Sequence, residues 1–174
     1  MERVTHMKQW LYRLYIRVWR RFHKWFSVDG HGHIITPWTA EVQLRAIWPN
    51  IKVSSPDRSL IVLPFAELEK DIKSFPYWLY KWISELFDCD DYALCLHAHM
   101  RICRLKKYLS GGVPAGQVFP AAFGQIWGSE MMSVKSPHAV CVMIAQEGVF
   151  VIEPQTGKIE KVDPGRDKAW EVRF

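Results

Sequence analysis

The stretch from Asp88 to Gly112 constrains the fold more than any other part of the chain. Tyr92, Cys95, Leu96, His99, Ile102 and Cys103 recur there at helical period. Asp88 stands where an N-cap is needed, and Asp91, three residues on, completes a capping-box-like pattern. Gly111-Gly112 supplies the stop. The period then changes: about 116–127, His138–Ala145, Val149–Glu153 and Lys158–Val162 read as strands joined by short turns. One long capped helix followed by an antiparallel meander predicts an α+β domain.

Upstream of that helix the pattern is less regular. Pro37, Pro49 and Pro56 punctuate a loop-rich region over 33–63 that ends in a strand-like run, Leu60–Leu63. Pro64 suits the first turn of a helix reaching about Lys73, and an aromatic-rich helix is predicted over about 76–86. Residues 7–26 read as an amphipathic helix with Leu11, Leu14, Tyr15, Val18, Phe22 and Phe26 on one stripe. The expected organisation is therefore a basic amphipathic helix over 1–26 and one domain over 27–174.

Charge follows the same division. Residues 1–26 hold seven Lys/Arg against one acid, whereas the remaining 148 residues hold 16 basic and 17 acidic side chains. The overall +5 belongs to the N-terminal segment, so high pI alone gives no reason to expect a specific nucleic-acid partner. The four cysteines (Cys89, Cys95, Cys103, Cys141) form no CxxC pair and no zinc-like grouping, and free thiols in a reducing cytoplasm are expected. No unbroken apolar run is long enough to span a membrane, and no leader pattern opens the chain.

Three side chains fall where chemistry could arise. Cys89 begins the long helix, where unpaired N–H groups and the positive dipole end favour a thiolate, although Asp88, Asp90 and Asp91 oppose this by charge. His138 opens the strand PHAVCVMIA, and Glu153 closes the next, GVFVIEPQTG. A hairpin turning at Gln146-Glu147 would pair Ala145 with Gly148 and set His138 and Glu153 on one face. Diagonal neighbours there lie roughly 7–8 Å apart at Cα, within reach of a carboxylate and an imidazole. A helix-start thiol, a strand-borne imidazole and an orienting carboxylate are the nucleophile, base and orienter of covalent catalysis. Each residue also has an ordinary reading: a packed core thiol, a strand-edge histidine and an exposed strand end.

The order DCDDYA, then HAV, then IEPQTG, resembles the papain-like protease domain at the C-terminus of the Marasmius oreades agglutinin, a mushroom lectin. It is also similar to small phage and prophage proteins with that domain, and more distantly to transglutaminase-like cysteine peptidases. The resemblance covers about residues 48–162. It implies a papain/transglutaminase-like fold, with a central helix starting at the nucleophile Cys and packed on a C-terminal antiparallel sheet. By the same resemblance Cys89 is the nucleophile, His138 the general base and Glu153 the group orienting the imidazole. The basic N-terminal helix has no counterpart in that family.

On this reading the expected function is a cysteine peptidase acting on polypeptides, or a transglutaminase-like acyl transferase, in a cytoplasm that belongs to the host if the chain is phage-encoded. The Cys89 N–H would be one oxyanion donor, and the Trp82 indole or the Gln155 amide a second, although core packing for Trp82 and turn chemistry for Gln155 are the favoured readings. No organic cofactor is expected. The resemblance implies calcium, which Asp88, Asp90 and Asp91 could take, yet no EF-hand loop is present. A non-enzymatic phage-derived binding or peripheral-membrane protein is the alternative, docking on a membrane surface or a protein partner through the N-terminal helix.

Overall fold

The structure is a computed structural model that describes residues 32–83 and 86–174. The predicted amphipathic helix over 7–26 lies outside the described residues. In chain order the elements are β1 (His33–Ile35), α1 (Pro37–Arg45), β2 (Lys52–Ser54), β3 (Leu60–Val62), α2 (Phe65–Lys73), α3 (Cys89–Leu109), β4 (Phe123–Ser129), β5 (His138–Ala145), β6 (Gly148–Ile152), β7 (Ile159–Lys161) and β8 (Lys168–Arg173). The α+β class expected from the sequence is present, with a long helix and a six-stranded sheet.

That sheet runs β2-β8-β4-β5-β6-β7. Every pairing is antiparallel except β2 with β8, which is parallel. β1 and β3 form a separate antiparallel pair. The strand β5 is apolar throughout because both of its faces are covered. Val140, Val142 and Ile144 pack in one core with Leu44 and Trp48 from the α1 region. Ala139, Cys141 and Met143 pack in a second core with Leu68 and Ile72 of α2 and Ala93, Leu96 and Met100 of α3. A strand buried on both sides loses the usual polar alternation.

The helix α3 begins and ends as its sequence requires. Asp91 Oδ2 accepts the Asp88 N–H at 3.2 Å and Asp88 Oδ1 accepts the Asp90 N–H at 3.4 Å, within a capping box. At the other end Gly111 adopts φ +76 and the Gly112 N–H donates to the Lys107 carbonyl at 2.8 Å, a stop that favours glycine. The thiol of Cys141 donates to the Ala93 carbonyl at 3.4 Å and so ties β5 to this helix.

Two expectations are corrected. The strand expected from about 116 starts only at Phe123, because Ala115–Gln117 forms a short 3-10 turn after Pro114. Among the described residues, the helix expected over 76–86 is reduced to a 3-10 turn at Tyr77–Leu79, and Ile83 forms a bridge with Phe87. Tyr80 is sandwiched between Phe75 and Phe87, with ring centroids 5.4 and 5.3 Å away. In an α-helix, residues seven apart are separated by about 10 Å of rise. Stacking Tyr80 on Phe87 therefore requires the chain to fold back, and aromatic packing overrides the helical spacing.

Candidate functional site

The β5–β6 hairpin fixes the centre of the site. Cys141 pairs with Ile152 and Ala145 with Gly148, the register that the two-residue turn demands. His138 and Glu153 then meet: His138 Nε2 lies 2.8 Å from Glu153 Oε2, with both side chains largely buried. The cross-strand neighbour of His138 on β4 is Gly128, and Met131 fills the space a side chain would take there: a Cβ on Gly128 would lie 2.6 Å from Met131 Sδ.

The turn after β6 holds the carboxylate in place. Glu153 Oε1 accepts the Gln155 N–H at 3.2 Å, and the Glu153 N–H donates to the Lys158 carbonyl at 2.9 Å. The Glu153 carbonyl accepts the Gly157 N–H at 2.8 Å. Gly157, at φ +72, lies directly on Tyr77, and a Cβ there would come within 2.7 Å of the Tyr77 ring. Gln155 thus uses its backbone within the turn. We expect Glu153→Ala to cost about 1–3 kcal/mol in urea unfolding, since it leaves a largely buried imidazole and a turn N–H without their acceptor. A loss below about 0.5 kcal/mol would show the pair to be solvated.

Cys89 occupies the first position of α3, half-buried against the second core. The hydrogen bond described above joins two of the three predicted residues; Cys89 is held by the helix start itself. Two of the three neighbouring acids cap that helix, as their spacing suggested. The Asp90 carboxyl is pushed above its usual range, first by its hydrogen bond with Asp88 and then by desolvation.

Ligand atoms of Asp88, Cys89 and Asp90 lie within 4.8 Å of one another, so the fit of calcium can be tested. Calcium takes six to eight hard oxygen ligands, and a thiol is a soft one. Asp88 and Asp91 already spend oxygens on the helix cap. This donor set does not fit calcium.

The loop over 77–87 lies beside the site. Its inward rings Tyr77, Tyr80 and Phe87 pack on Gly157, Phe75 and Tyr92. Apart from Lys81, its described outward side chains are apolar and exposed: Trp78 at 80% and Trp82 at 52%, with Leu79, Ile83 and Leu86 between and after them. Trp78 escaped the sequence reading because YWLYKW has helical spacing and reads as core. The signal that could have found it is two tryptophans four residues apart in a run with too few polar positions for a surface helix.

No family model matches the chain, and no curated protein matches it. Solved structures do. One, titled as the PSL1a–E64 complex, matches with a TM-score of 0.63 and 22% identity, over 81% of this chain and 50% of the other. Another is Polyporus squamosus lectin bound to the human-type influenza-binding epitope Neu5Aca2-6Galb1-4GlcNAc, with a TM-score of 0.61 and 21% identity, over 81% of this chain and 49% of the other. The fold is one shared with a fungal lectin. That lectin is related to the Marasmius oreades agglutinin fold, and the chain spans about half its length. The expectation of a cysteine peptidase or acyl transferase, with hydrolase and phage character and a polypeptide substrate, is corrected by these matches. Both solved structures above are of a fungal lectin, one of them described by the glycan it holds.

Proposed function

We propose that this chain is a non-enzymatic binding module for carbohydrate, built on a papain/transglutaminase-like scaffold. The observation that carries the reading is the pair of exposed indoles, Trp78 and Trp82, on the loop that abuts the Glu153 turn. A pyranose ring presents a face of C–H groups that packs on an indole, while its hydroxyls need hydrogen-bonding partners. Exposed aromatic side chains beside a few convergent polar groups are what such a ligand requires. Cys89, His138 and Glu153 form the polar floor in this reading, and Trp82 serves as platform rather than as oxyanion donor.

The glycan-bound neighbour supports the ligand class. The charge around the site narrows it. Asp88, Asp90, Asp91 and Glu153 outnumber the nearby cations Lys81 and Lys158. An uncharged glycan is favoured here over a sialylated one, because like charges repel.

Titration calorimetry with Galβ1-4GlcNAc and with its α2-6 sialylated form tests this. The neutral disaccharide should bind more tightly. Trp78→Ala and Trp82→Ala should each weaken it by about ten-fold or more, the loss expected for an aromatic contact of about 1.4 kcal/mol or more. Both side chains face solvent, so the melting temperature should not move. Absence of binding at millimolar glycan, or unchanged affinity in both variants, would overturn the reading.

A further inference from the structure

The helix α3 is apolar on two opposite sides. Tyr92, Ala93, Leu96 and Met100 face the second core. At about 100° per residue, Leu94, Ala98, Ile102, Leu105, Tyr108 and Leu109 fall on a single arc opposite that core, and the same arc also holds Arg101, paired with Asp57. All six are exposed, with Leu94 at 56%, Leu105 at 54% and Leu109 at 73%. From Leu94 to Leu109 the stripe runs about 22 Å along the axis. It borders a pocket of about 170 Å³ lined by Arg104, Leu105, Tyr108, Val113, Val118 and Phe119. A stripe this long, left open on one helix, marks an interaction surface.

The first described residue indicates what covers it. Gly32 is packed tightly on β3: a Cβ there would lie 2.7 Å from both Ile61 Cγ1 and Leu63 Cδ2. The same glycine lines a depression with Arg104, Gly111, Gly112 and Gln117, so the chain comes away beside the C-terminal end of α3. Residues 27–31 can bridge about 17 Å when extended. The segment 7–26 would be about 30 Å long as a helix, enough to run the length of the stripe.

We infer that residues 7–26 of this chain dock on the exposed stripe of α3, with the Phe22–Phe26 end against Leu105 and Leu109 and the Leu11 end toward Leu94. Charge permits this despite the seven basic residues of the segment. Arg101 is paired with Asp57, Arg104 with Glu67, and Lys107 with Glu67 and Asp71, so most cations along α3 are already neutralised by the body. The arginines of the segment fall largely off its own apolar stripe and stay in water. This inference is independent of the carbohydrate reading.

Hydrogen exchange on the full chain tests it, with Leu105→Asp and Leu109→Asp as variants. In the parent protein, amides within 7–26 should exchange about 100-fold or more slower than in an unstructured peptide. Both variants should lose that protection while β5 keeps its own. Leu109 is mostly exposed, so its replacement cannot unfold the body. Three results would each overturn the proposal: unstructured-peptide rates for 7–26 in the parent, protection that survives both substitutions, and protection that vanishes on dilution of a species that light scattering shows to be a dimer. The last would assign the stripe to a second copy.

Discussion

Asp167→Ala is expected to lose about 2–4 kcal/mol of unfolding free energy, the cost of leaving the Met132 and Asp163 N–H groups without their acceptor. The Asp167 carboxylate is buried and takes four hydrogen bonds: from the Met132 N–H at 3.0 Å, from the Asp163 N–H at 2.9 Å, and from Arg166 Nε and Nη2 at 2.8 and 3.1 Å. Its carbonyl also accepts the Trp48 indole N–H at 2.6 Å. One side chain thus ties the 163–167 turn to a stretch in which Glu130, Met132 and Ser133 all have positive φ. Non-glycine residues are held in that region only where their surroundings enforce it. Burial opposes ionisation of Asp167, but the Arg166 guanidinium and the two backbone N–H groups outweigh it and hold the carboxyl below its usual range. The stability it contributes is present above the unfolded carboxyl pKa of about 3.9 and fades as pH falls below that value. Urea unfolding at neutral pH should show the loss, with a fall in melting temperature of about 10 °C. A change under about 1 kcal/mol would mean that water replaces the carboxylate.

Acid should weaken the protein well before its carboxylates titrate. His97 is pushed down to about 4, chiefly by burial and then by the Arg101 cation, with Asp57 acting the other way. Arg101 Nε donates to His97 Nε2 at 3.1 Å, so the folded state holds the neutral ring, and the same guanidinium reaches Asp57 at 2.6 Å. The unfolded chain binds a proton near pH 6.5 that the folded chain refuses until about pH 4. Unfolding therefore takes up a proton in this window, and stability rises with pH across it. The contribution is complete above about pH 6.5 and is lost progressively down to about pH 4, by up to about 3 kcal/mol. Melts at pH 7 and pH 4.5 should differ strongly in the parent protein and much less in His97→Asn. Equal differences in both would place the acid sensitivity elsewhere.

Local devices were legible in the sequence and remote ones were not. The capping box at Asp88 and the glycine stop after Leu109 are short-range chemistry, and α3 runs between them as their spacing requires. The β5–β6 register followed from a two-residue turn, which fixes every later pair and with it the approach of His138 to Glu153. The loop over 77–87 was misread because its aromatic residues have helical spacing, whereas their ring partners are Phe75 and Tyr92, set by tertiary packing. Asp167 could not be singled out, since its partners at Met132 and Trp48 are distant in sequence. The ordered Cys, His and Glu motif pointed to a fold that a fungal lectin shares, and the peptidase activity expected from it is corrected by the lectin matches. Such a motif reports where side chains sit, and one scaffold can host unrelated functions.

The position of β8 also sets a timetable for synthesis. This strand lies between β2 and β4, with Val172 beside Val53 on one side and Ile126 on the other, and the Phe174 N–H donates to the Ser54 carbonyl at 3.0 Å. During translation β4, β5 and β6 can pair as soon as they emerge, but one edge of β4 stays bare until residue 173 has left the ribosome. β2, made more than a hundred residues earlier, has no partner in the sheet until the same moment. A nascent chain therefore carries an open strand edge from the time residue 54 emerges until residue 173 does, the state in which pairing with a neighbouring chain competes with folding.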